Sequence, residues 1–159
     1  MRLWRIAVET RTYKANDLSG AGAAKRPGRW NREGEFVVYA APTLSLAVLE
    51  TVAHIPSAGL PLDRFVVAID IPPAEWERRE VMDAGRIDPA WCAIPAGRAS
   101  VELGSAWYRT ARSSILMAPS VIVPEEHVAI LNASHPGAVR FAATTIRPFS
   151  FGALHRDTR

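Results

Sequence analysis

The chain has 159 residues, 48% of them hydrophobic and 22% charged, which suits one soluble domain with a real core and one active site at most. A net charge of +3 and a single tight basic cluster (Arg26, Arg29 and Arg32, interrupted by Gly28, Trp30 and Asn31) fall short of the longer basic stripe of a generic nucleic-acid binder. Cys92 is the lone cysteine, so an intrachain disulfide and a thiolate metal cluster are excluded and a reducing compartment is expected.

Residues Leu3 to Val8 read as a first strand. The opening ten residues carry Arg2 and Arg5 but no apolar leader core, and no later apolar run reaches membrane-spanning length, so a cytoplasmic location is expected. Asp17 to Gly34 reads as a polar loop bearing Gly20, Gly22, Gly28 and Gly34; a loop of that length in a compact domain is often functional. Glu35 to Ala41 is β-like, with Phe36 to Tyr39 forming the continuous apolar run of a strand covered on both faces. Thr43 is placed to cap a helix from Leu44 to about Ile55, ended by Pro56. Arg64 to Ile71 is a further strand, and Pro73 to Val81 a short charged turn or helix. The pattern is helical from Arg98 to Thr110. Ala118 to Pro124 reads as an extended segment between prolines, Val128 to Leu131 as a strand, and Val139 to Ile146 as a last alternating strand. Strands near both ends with helices between them predict an α+β domain, a single compact unit with a core over about 3–149 and a tail at 150–159.

Glu50 falls on the Leu44 helix, where its neighbours one turn away are Leu46, Ala47, Ala53 and His54. Val48 and Val52 make that helix apolar nearly all round, so it should be largely buried, and an ionised carboxylate there needs a cation or a hydroxyl-rich ligand. A ribose-gripping or catalytic glutamate and an internal ion pair both satisfy that need. Arg29 follows Gly28, where the backbone can approach a ligand and the guanidinium offers a planar fork for phosphate oxygens; a solvated arginine is the plainer alternative. Trp30 offers a stacking face or a core anchor, and Tyr39 a ring or hydroxyl at a strand end. Ser120 lacks a nucleophile elbow and suits a hydrogen-bonding role. The histidines His54, His127, His135 and His155 form no paired ligand motif on one helix, so no metal is predicted; His54 suits a partner for Glu50 or a substrate.

In order and spacing, Gly28-Arg29-Trp30-Asn31, Val37-Val38-Tyr39-Ala40, Ala47-Val48-Leu49-Glu50 with His54, Pro119-Ser120, and Asn132 with His135-Pro136 resemble the RES-domain family. The resemblance runs from Arg5 to about Phe149. It implies a toxin of a bacterial toxin–antitoxin pair with a central mixed β-sheet similar to ADP-ribosyltransferases. It further implies an activity that consumes NAD as substrate, without a separate cofactor. Carried over residue by residue, the catalytic set is Arg29, Tyr39, Glu50 and Ser120, and Arg5, Trp30, Asn31, His54 and Asn132 are expected to help bind NAD. The implied partner is an Xre-like helix-turn-helix antitoxin, with water, phosphate or a protein as acceptor. The competing reading is a non-catalytic nucleotide- or RNA-binding module built on the Arg29 loop.

Overall fold

In a computed structural model, residues 1–54 and 63–154 are described. The proposed helix end at Ile55 and Pro56, His155 and the last residues of the tail lie outside them. The element order is β1 (Arg2–Val8), α1 (Ala21–Lys25), β2 (Val37–Ala40), α2 (Leu44–Ala53), β3 (Arg64–Asp70), α3 (Pro73–Glu77), β4 (Glu80–Val81), α4 (Arg98–Thr110), β5 (Ile115–Pro119), β6 (His127–Asn132) and β7 (Ala142–Phe149). The α+β reading holds, but the strands are divided between two sheets. One is antiparallel in the order β1-β3-β7; the other is mixed, in the order β2-β6-β5-β4, with β4 parallel to β5. The sheets touch where Trp4 and Ala41 exchange two 2.8 Å backbone hydrogen bonds.

Strand alternation sorts the core into layers. Leu3, Val67 and Ile69 of the first sheet meet Val38, Ile115 and Leu131 of the second. The opposite face of the second sheet carries Val37, Leu116, Ala118 and Ile130 and packs on Trp30, Trp91 and Trp107. Leu44 and Val48 of α2 cover Ile6 and Val66. All five residues of β5 are buried, as expected for a strand covered on both faces, and each buried leucine or isoleucine there contributes about 1.5–3 kcal/mol.

Several elements differ from the sequence reading. The polar loop contains the short helix α1, because Ala21 to Lys25 lets one turn form after the left-handed Gly20. Around Ser120 the extended segment lies earlier, at Ile115–Pro119, and the last strand lies later, since Pro136–Arg140 forms a 3-10 turn capped by His135. Helix α2 starts as predicted, with Thr43 extended and its hydroxyl accepting from the Leu46 amide at 3.2 Å. It is not buried all round: Leu46 and Ala47 face the core, while Leu49 and Val52 remain 39% and 38% exposed. Among the described residues no helix is long and apolar enough to cross a membrane.

Candidate active site

Four elements converge beside the tryptophan face of the second sheet. Helix α2 carries Glu50 half-buried. The Ser120 hydroxyl, 1% exposed just past β5, donates to Glu50 Oε1 at 2.6 Å. The same hydroxyl accepts from the amides of Ile122 and Val123 at 3.1 and 3.0 Å, so its capacity is fully used inside the protein. Ser120 therefore orients Glu50 and leaves the other carboxylate oxygen for a ligand.

Arg29 lies on the turn between α1 and β2. Its Nη1 donates to the carbonyls of Trp91 and Ala93 at 2.8 and 2.9 Å, on either side of Cys92. Its Nε and Nη2 have no hydrogen-bond partner among the described residues. Burial lowers the Arg29 pKa from its ordinary value, while Cys92, Glu50 and Tyr39 act to raise it, which places Glu50 and Tyr39 within electrostatic reach of the guanidinium. The group stays a cation at any physiological pH.

The turn carrying Arg29 is set by Asn31 and Tyr39. Asn31 is 0% exposed; its Oδ1 accepts from the Gly28 amide and the Tyr39 hydroxyl, both at 2.8 Å, and its Nδ2 donates to the carbonyls of Ala23 and Arg32 at 3.0 and 2.9 Å. Tyr39 Oη in turn accepts from the Trp30 amide at 3.0 Å. Gly28 fits here because a Cβ would lie 2.7 Å from that hydroxyl. Burial is the main cause that pushes the Tyr39 phenol well above its ordinary range.

The remaining expected residues divide. Trp30 is 2% exposed and stacks on Trp91 at 5.9 Å, so its face is spent on the core. Asn132 is 1% exposed, bonded to the Tyr108 carbonyl and the Ser134 amide. His54 is exposed at the end of α2, its Nδ1 2.7 Å from the Glu50 carbonyl rather than at the carboxylate. Arg5 lies on the Leu3 and Ala7 side of β1, away from Trp4 and the Glu50 cluster. It reaches the Asp17 carbonyl at 3.3 Å, and burial, opposed by Asp17 and reinforced by Arg64, lowers its pKa. The structure thus gathers Arg29, Tyr39, Glu50 and Ser120, uses Trp30, Asn31 and Asn132 as scaffold, and leaves Arg5 elsewhere.

Three supports escaped the sequence reading. Gly104 in α4 lies against Trp30, where a Cβ would overlap the Trp30 carbonyl; a glycine inside an otherwise good helix was the available signal. Glu35, 8% exposed, accepts from the Arg32 amide at 2.8 Å and from the Ser105 hydroxyl. Glu75, 2% exposed, bonds Arg140 and Ser114 beneath Gly137, and nothing local announces partners so distant in the chain. Among the described residues, His, Cys, Asp and Glu form no group of three spaced to hold a metal.

The RES domain matches residues 2–152. The chain is 47% identical over 148 residues to the Prs ADP-ribosylating toxin of Sphingobium sp. (strain YBL2), covering 93% of this chain and 92% of that one. It is 36% identical over 120 residues to Toxin Res of Photorhabdus laumondii, covering 76% and 75% of the two chains. With Toxin Res of Yersinia enterocolitica it shares 30% identity over 159 residues, covering 95% of each. Among solved structures it resembles a chain of the M. tuberculosis MbcT–MbcA toxin–antitoxin complex, with a TM-score of 0.61 at 16% identity over 92% of this chain and 84% of that one. On a match that spans nearly its whole length, the chain belongs to the RES-domain family of toxins.

Proposed function

We propose that this toxin cleaves the bond between nicotinamide and ribose in NAD and passes the ADP-ribosyl group to a protein. The observation that carries the reading is the pairing of an oriented carboxylate, Glu50 held by Ser120 at 2.6 Å, with an arginine whose Nε and Nη2 are uncommitted among the described residues. Breaking the glycosidic bond sends its electron pair to the nicotinamide nitrogen and builds positive charge on the ribose. A fixed carboxylate stabilises that charge while accepting from a ribose hydroxyl. Arg29 supplies a fork for the pyrophosphate. The acceptor's lone pair then forms the new bond to the anomeric carbon and the acceptor releases a proton.

Transfer to protein is favoured over hydrolysis by the 47% identity to a toxin named for ADP-ribosylating Prs, and Prs is the acceptor to try first. The likeness to a chain of a toxin–antitoxin complex supports an antitoxin partner, proposed here as an Xre-like helix-turn-helix protein. Incubating the purified chain with NAD and following nicotinamide tests the reading. Release should be lost in Glu50→Ala and Arg29→Ala while both stay folded; intact NAD with the wild-type chain, whether water, phosphate or protein is offered, would sink it.

A further inference from the structure

We infer that Asn31 and Tyr39 are positioning residues that act through Arg29, with neither polar group available to touch the substrate. The inference rests on the reading of the Arg29–Glu50 pocket as an NAD site and assigns these two residues a role within it.

The hydrogen-bond inventory carries it. Asn31 has two acceptor positions and two donors, and all four are used by the Gly28 amide, the Tyr39 hydroxyl and the carbonyls of Ala23 and Arg32. The Tyr39 hydroxyl gives its one proton to Asn31 and receives the Trp30 amide. The amides of Gly28 and Trp30 flank Arg29, so the pair pins the backbone on both sides of the arginine. The Trp91 and Ala93 carbonyls pin one end of its guanidinium. Held at root and tip, Arg29 has a fixed direction, and its remaining N–H groups meet the ligand without an ordering cost. A hydroxyl already donating to a buried amide is a poor acid or base for the bond being broken. Removing it should therefore weaken ground-state and transition-state binding alike.

The test uses the full-length chain and compares Tyr39→Phe and Asn31→Ala, each alone and combined with Arg29→Ala. KM and kcat for nicotinamide release are measured along with ADP-ribose affinity by calorimetry. Tyr39→Phe keeps the ring and should raise KM about tenfold and weaken ADP-ribose binding to match, with kcat within about twofold. In the Arg29→Ala background neither substitution should weaken ADP-ribose binding further, because the group they position is gone. A purely structural role would lower thermal stability without moving KM. If Asn31→Ala does not fold, Tyr39→Phe alone decides. A fall in kcat at unchanged KM, or losses that multiply with that of Arg29→Ala, overturns the inference. A wild-type chain that neither binds ADP-ribose nor releases nicotinamide overturns the pocket reading and this inference with it.

Discussion

Ser120 and Glu50 lie 70 residues apart and are joined by a 2.6 Å hydrogen bond from hydroxyl to carboxylate, which ties the end of β5 to the middle of α2. The serine hydroxyl also satisfies two turn amides, so its service to Glu50 is rigid. Ser120→Ala should lower kcat for nicotinamide release about 10- to 100-fold with little change in KM, and should cost about 1–2 kcal/mol from the two orphaned amides. Steady-state kinetics and urea unfolding check this. Unchanged kcat would separate Ser120 from the chemistry.

Gly104 permits the Arg29 loop to lie on α4. Gly104→Ala forces a Cβ into the Trp30 carbonyl, and because that obstacle is backbone, the loop must move. Thermal and urea unfolding should show a loss of about 2 kcal/mol or more, with a raised KM for NAD. Gly22→Ala is the control: nothing lies within 4 Å of its Cβ position, and it should be neutral or stabilising by about 0.5 kcal/mol.

The Glu75 carboxylate is buried against Arg140, whose side chain is 53% exposed. Arg140→Ala leaves a buried charge without its cation. It should cost about 2 kcal/mol, less than a fully enclosed pair because water reaches the arginine side. Kinetic parameters of the folded fraction should match the wild type, since this cluster stands apart from Glu50. A change in KM without a loss of stability would place Glu75 in the functional machinery.

Burial, aided by Glu35 and opposed by the Trp30 amide and Arg29, raises the Tyr39 phenol above its ordinary value of 10.0. A raised folded value favours the neutral phenol, so its contribution to stability is complete below about pH 10 and is lost as pH rises further. The melting temperature of the wild type should therefore fall relative to that of Tyr39→Phe as pH climbs from about 9 to about 11. Parallel curves would mean that Tyr39 is not buried as a donor.

What the sequence revealed follows from how local each signal was. Thr43 and the apolar run at Val37 and Val38 are short-range features, and they mark the start of α2 and the body of β2. The Arg29, Tyr39, Glu50 and Ser120 set rests on the order of its motifs, whereas local pattern leaves each residue with an ordinary structural alternative. Leu49 and Val52 stay exposed because α2 packs Leu44 and Val48 on the first sheet and Leu46 and Ala47 on the tryptophan face of the second, leaving its remaining side to solvent, which helix periodicity does not reveal in so uniformly apolar a segment. Asn31, Trp30 and Asn132 are buried and engaged within the protein, and proximity in a motif does not distinguish a group that faces a ligand from one that holds its neighbour. Arg5 enters the set through the resemblance, and strand alternation, which sends residues 4 and 5 to opposite faces of β1, places it on the side away from Trp4.

The most direct measurement follows ADP-ribose onto protein, using NAD labelled on the adenosine side, with Prs and either the wild-type chain or Glu50→Gln. Glutamine can still accept the Ser120 hydroxyl bond and so preserves the fold while removing the charge. Label should appear on Prs, matched by free nicotinamide, with the wild-type chain, and neither should appear with Glu50→Gln. Equal transfer by the two chains, or NAD left intact by the wild type, would contradict it.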